Sequence, residues 1–169
     1  MGGRMTEIKA SFAPVTNGNT TVLVLGSLPG DRSLAEQRYY AHPQNQFWTL
    51  MSRVTDVDLC VLEYEARLAA LLVAGVGLWD VVGVAVRTGS TDAAIRDVSA
   101  NDLTGLIQSL PMLRAIGFNG GTALSIGRRQ LGAAANSLAI VALPSSSPLH
   151  TVGAAAKQPA WNELRKYLG

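Results

Sequence analysis

Ten consecutive residues, Tyr39 through Trp48, gather four aromatic rings, one histidine and three side-chain amides in a chain that is only 6% aromatic. A flat ring such as Phe47 beside an amide such as Asn45 offers what a nucleobase requires, one group to stack on its face and one to hydrogen-bond along its edge. The same residues also read as a helix start, with Phe47 and Trp48 in the core and Asn45 as cap. A second concentration is Ser145-Ser146-Ser147, followed by Pro148, Leu149 and His150. Three hydroxyls with their backbone amides suit phosphate oxygens, and a leucine on such a turn suits an apolar wedge between bases. The third is Gly26-Ser27-Leu28-Pro29-Gly30, which has neither the Gly-Lys-Ser/Thr of a phosphate loop nor the three-glycine dinucleotide fingerprint. Its glycines let the backbone approach a flat ligand and aim amide donors at it; a tight turn without a ligand is the plainer alternative.

These residues need elements to position them. Four apolar, β-prone runs without strict alternation, 21–25, 76–82, 113–118 and 138–143, read as strands covered on both faces. The intervening stretches hold helices at 46–54, 62–74, 101–110 and 121–131, and Pro159 opens a last helix that turns Trp161, Leu164 and Leu168 inward. That alternation predicts a three-layer α/β/α fold around a central four-stranded, mostly parallel sheet. In such a sheet ligands bind beyond the carboxyl ends of the strands. Gly26–Gly30, Trp79-Asp80, Asn119-Gly120-Gly121 and Pro144–Pro148 all fall there, so a polar cleft is expected on that rim.

Composition narrows the classes. A chain of 169 residues with 48% hydrophobic content is expected to form one domain, with 1–18 as a flexible N-terminal extension. Net charge is only +2, so contact with nucleic acid must use a local patch. The single cysteine, Cys60, excludes an intramolecular disulfide, a four-cysteine cluster and a cysteine-based zinc site. No stretch has the length and apolarity of a signal peptide or membrane span, so a cytoplasmic protein with no membrane partner is expected.

The segment Tyr40–Trp48 preceded by Gly26–Gly30 resembles the first motif region of the uracil-DNA glycosylase superfamily. It is most similar to the hypoxanthine-DNA glycosylase branch, family six, and next to the mismatch-specific uracil glycosylases. Leu143-Pro144-Ser145-Ser146-Ser147-Pro148-Leu149-His150 resembles that superfamily's DNA-intercalation loop. Gly77–Val82 followed by Arg87-Thr88-Gly89-Ser90 looks like its second-strand motif, and Phe118–Ala123 is similar to family six.

The resemblance implies a monomeric, monofunctional enzyme of base-excision repair. Its partner is DNA carrying deaminated bases, and it flips out uracil, hypoxanthine or both and hydrolyses the N-glycosidic bond with no metal and no cofactor. It further implies a catalytic Asn45, base contacts from Gly26, Ser27, Leu28, Phe47, Asp80 and Asn119, and DNA contacts from Ser145, Ser146, Ser147, Leu149 and His150. Two positions depart from the superfamily pattern. Leu28 stands where several members carry a catalytic Asp or Asn, and Leu143 where the intercalation motif often begins with His. His42, His150 and the backbone amides near Ser27 are the remaining candidate donors to the leaving base. Asp80 stands where related enzymes place an asparagine that reads uracil; it can accept a ring N–H, or simply cap the turn after the second strand. Lys9, Lys157 and Lys166 lie outside all four motif segments, which argues against a Schiff-base nucleophile.

Two rival readings stand beside this one. A serine hydrolase would pair one of Ser145, Ser146 or Ser147 with His150, but the Gly-x-Ser-x-Gly elbow is missing. A module that binds damaged DNA or a nucleobase with little catalysis fits the two leucine departures.

Overall fold

The computed structural model describes residues 7–10, 12–87 and 96–169. Its centre is a four-stranded sheet of β2 (Val22–Gly26), β3 (Val76–Asp80), β6 (Ala115–Asn119) and β7 (Ala139–Leu143) in the order β3-β2-β6-β7, with every neighbouring pair parallel. Every residue of β2 and β6 is buried, which explains runs that are apolar throughout instead of alternating.

Alternate residues of β2 feed two cores. Val22 and Val24 face one that contains Phe47, Trp48, Leu50, Leu71, Trp161 and Leu164; Leu23 and Leu25 face another with Val81, Leu103, Ile116, Phe118 and Leu131. Helices α2 (Phe47–Thr55), α3 (Tyr64–Ala74) and α6 (Ala154–Asn162) cover the first face, and α4 (Leu103–Gln108) and α5 (Gly121–Leu131) cover the second. The result is the three-layer α/β/α arrangement expected from the alternation of elements. A short helix, α1 (Asp31–Glu36), follows β2.

Three local expectations need correction. The second strand does not run on to Val82: it ends at Asp80, and after Val81 the chain enters β4 (Val82–Arg87), which pairs antiparallel with β1 (Glu7–Ala10) and β5 (Arg96–Ala100) in a separate three-stranded sheet. The stretch expected to be a loose extension therefore contains a paired strand, and Val15 forms a bridge with Leu78; residues 1–6 and 11 lie outside the described residues. Pro159 sits inside α6 instead of opening it, because the helix begins five residues earlier at Ala154. Thr88, Gly89 and Ser90 of the second-strand motif lie outside the described residues. No helix among the described residues is long and apolar enough to cross a membrane.

Candidate active site

The winding of the sheet reverses between two adjacent strands. Strand β2 leads to β3 on one side, β6 leads to β7 on the other, and such a reversal opens a crevice beyond the carboxyl ends of the pair. A cleft of about 500 Å³ lies there, lined by the Gly26–Ser33 turn, Tyr39, Tyr40, His42, Asn45, Asp80, Asn119 and the Ser145–His150 turn. Its volume suits a small planar ligand.

The floor is built by close approach. A methyl group added at Gly26 would lie 2.7 Å from Asp80 Oδ1 and 3.4 Å from Tyr40 Oη, so only glycine leaves room for the carboxylate and the phenol beside the end of β2. Asp80 is 4% exposed, and its backbone carbonyl accepts from Asn101 Nδ2 at 2.8 Å. Burial, and after it the Asp80 carboxylate, push the Tyr40 and Tyr39 hydroxyls far above the ordinary tyrosine range. Both phenols are thus neutral at physiological pH. Leu28 is 6% exposed and packs into the second core while its edge meets the cleft, and Ser27 is buried beside it.

The ring on the cleft wall is Tyr40, not Phe47. Phe47 is fully buried and stacks flat on Tyr40 with centroids 3.9 Å apart and planes 10° from parallel. The assignment of Phe47 as the group that touches the base is therefore corrected: it backs the ring that lines the cleft. Behind it, Trp48 and Trp161 meet Phe47 edge-on at 4.9 and 5.8 Å. Tyr40 takes a left-handed backbone conformation with φ 54°, rare for a bulky residue. Asn45 lines the cleft half-buried, and its Oδ1 accepts from the Phe47 backbone N–H at 2.9 Å. The N-cap of α2 is Gln46 and not Asn45, and the bond from the Phe47 N–H just inside the helix fixes the Asn45 side chain on the cleft wall. His42 lines the rim, exposed, with Nδ1 accepting from the Gln44 N–H.

The opposite wall is held by polar bonds. Asn119 donates from Nδ2 to Ser146 Oγ at 2.9 Å and to Tyr40 Oη at 3.4 Å, and its Oδ1 accepts from the Ser146 N–H at 2.9 Å. Asn119 thus acts as a bracket between β6 and the turn while it lines the cleft. Ser146, 1% exposed, is the bracket's other half and not a surface contact for phosphate. Ser145 Oγ accepts from the Ser147 N–H and Ser147 Oγ from the Leu149 N–H, which closes the turn on itself. Gly120, at φ +96°, brings the end of β6 close enough that an added methyl would lie 3.3 Å from Ser145 Cβ. Leu149 stands 60% exposed at the mouth beside an exposed His150. Leu143 is 3% exposed in the core, so its side chain serves packing.

Two residues at this site were not singled out from sequence. Tyr40 lay within the aromatic run, but spacing alone does not say which ring faces a cavity. Lys157, set aside as remote from the motifs, lies under the second wall, where Nζ donates to the carbonyls of Ser145 and His150. Among the described residues no group of three or more His, Cys, Asp or Glu is placed to hold a metal ion.

Comparisons with known proteins point to one family. The family model described as the uracil DNA glycosylase superfamily matches residues 13–165. A hypoxanthine DNA glycosylase of Methanosarcina acetivorans is 43% identical over 113 residues, covering 67% of this chain and 72% of that protein. One of Methanosarcina barkeri is 42% identical over 112 residues, covering 66% and 71%. The solution NMR structure of a Methanosarcina acetivorans protein named among the uracil DNA glycosylases superposes with a TM-score of 0.83 at 36% identity, covering 95% of this chain and 98% of that one.

Proposed function

The chain belongs to the uracil DNA glycosylase superfamily and is a DNA glycosylase, and on that premise we propose that it flips a deaminated base into the cleft at the ends of β2 and β6 and hydrolyses its N-glycosidic bond. The observation that carries this reading is the meeting of Gly26, Tyr40, Asn45 and Asp80 around one cavity. Tyr40 supplies a neutral ring, stiffened by Phe47, against which the base stacks. The Asp80 carboxylate accepts the ring N–H that uracil and hypoxanthine both present, where cytosine and adenine carry a bare ring nitrogen with nothing to donate.

As the glycosidic bond stretches, negative charge gathers on the base and positive charge on the sugar. Leu28 offers no group to activate water, so the proposed catalytic residue is Asn45. Its side chain is held by the Phe47 N–H, and its amide nitrogen and remaining oxygen lone pair are the groups that orient water and the leaving base. A preorganised donor of this kind is worth about 3–4 kcal/mol. The turn at Ser145–His150 meets the backbone of the DNA, and Leu149 fills the gap left by the extruded nucleotide. None of the described residues lining the cleft is a lysine, which supports a monofunctional reaction that leaves an abasic site.

The deciding experiment incubates the protein with end-labelled oligonucleotides carrying one uracil or one hypoxanthine, in single strands and in duplexes, and measures free base. Release of either base, without strand cleavage and without borohydride-trapped adduct, is expected. Retention of the damaged strand without release would turn the reading into a binding module, and ester cleavage into a hydrolase. The identity of the two relatives favours hypoxanthine as the faster substrate. Asp80→Asn should shift the preference between the bases; unchanged rates and preference would reduce Asp80 to a turn cap.

A further inference from the structure

The carbonyls of the second wall are directed at donors in the protein body. Trp161 Nε1 donates to the Pro144 carbonyl at 2.9 Å, the Gln46 N–H to that of Ser146 at 2.9 Å, and Gln46 Nε2 to that of Val152 at 3.2 Å. Between them, Lys157 Nζ donates to Ser145 O at 2.5 Å and to His150 O at 3.2 Å. One ammonium therefore gathers both ends of the six-residue turn that carries Leu149.

Lys157 is only 1% exposed and, among the described residues, has no carboxylate partner. Burying an ammonium is costly unless dipoles replace its water, and here two carbonyls of one turn do so. Desolvation pulls its pKa below the ordinary lysine value. A methionine of similar length at this position of α6 would be buried at no such cost. A charge in this place holds the turn more tightly than packing would, and it draws negative carbonyl ends away from the face that meets phosphates.

We propose that Lys157 is a positioning residue for DNA engagement, whose ammonium fixes the Ser145–His150 turn so that Leu149 stands preformed as the wedge. The proposal rests on the glycosylase reading and names a group that acts through the turn and not on the base. Unstacking a base is needed in a duplex and hardly at all in a single strand, so the duplex to single-strand ratio reads the wedge separately from the chemistry.

The test compares wild type, Lys157→Met, Lys157→Gln, Leu149→Ala and the Lys157→Met/Leu149→Ala double variant, in excision and in binding of labelled duplex and single strand. Lys157→Met should lower duplex excision about tenfold or more while single-strand excision stays within about threefold. In the Lys157→Met background, Leu149→Ala should add little, because a wedge already out of place has little left to lose. Additive losses, equal losses on both substrates, or failure of both lysine variants to fold would overturn the proposal, since Lys157 would then serve the molecule at large. A wild type that binds damaged duplex without releasing base would instead fail the catalytic reading, and the binding ratio would still decide the role of Lys157.

Discussion

The two walls of the cleft are built from opposite kinds of interaction. One is a pile of rings: Tyr40 on Phe47, with Trp48 and Trp161 edge-on behind, all set in the core. The other is a turn of small polar residues whose position depends on individual hydrogen bonds from Asn119, Gln46, Lys157 and Trp161. Stacked rings gain from area and tolerate small shifts, whereas a turn held by single donors has one geometry or loses it. The ring wall suits a flat ligand of variable edge. The polar wall suits a backbone that must be met at fixed points.

The sharpest break would come from Phe47→Ala. Emptying a fully buried ring site behind Tyr40 should cost about 3–5 kcal/mol in urea unfolding, and a loss below 1 kcal/mol would deny that packing holds this wall. Asn45→Ala separates chemistry from support on the same wall. Single-turnover excision should fall about a hundredfold or more, while unfolding should move by no more than about 1 kcal/mol for the lost bond to the Phe47 N–H. Near-normal excision would remove Asn45 from the catalytic role.

Ser146→Ala probes the polar wall, where the buried Asn119 amide loses one partner. A cost of about 1–3 kcal/mol is expected, and one equal to that of Phe47→Ala would erase the contrast. Leu149→Ala should leave stability within about 0.5 kcal/mol, as an exposed residue does. Its duplex excision should drop about tenfold with single strands little affected, and equal losses on both would argue against a wedge.

The central sheet was legible because strands buried on both faces leave uninterrupted apolar runs, and the helices between them carried helical spacing. The antiparallel sheet was not, since Glu7–Ala10 and Arg96–Ala100 are short and mixed in character. At the site, the place of Asp80 on the rim followed from its position at the end of β3, and that of Asn45 from the aromatic run that opens α2. The exchange of Phe47 for Tyr40 did not, because the left-handed turn at Tyr40 reorients the chain in a way that no periodicity records. Asn119 and Ser146 lie 27 residues apart, and their mutual bonds exist only once β6 and β7 are paired. Lys157 carries no local signal at all, being defined by the two carbonyls it reaches.

Trp161 touches both walls at once, its ring against Phe47 and its Nε1 on the Pro144 carbonyl. The indole is accordingly a native optical gauge spanning the molecule's two working surfaces. Its emission would register a ligand pressing on the stacked rings or a duplex pulling on the turn, with no label attached.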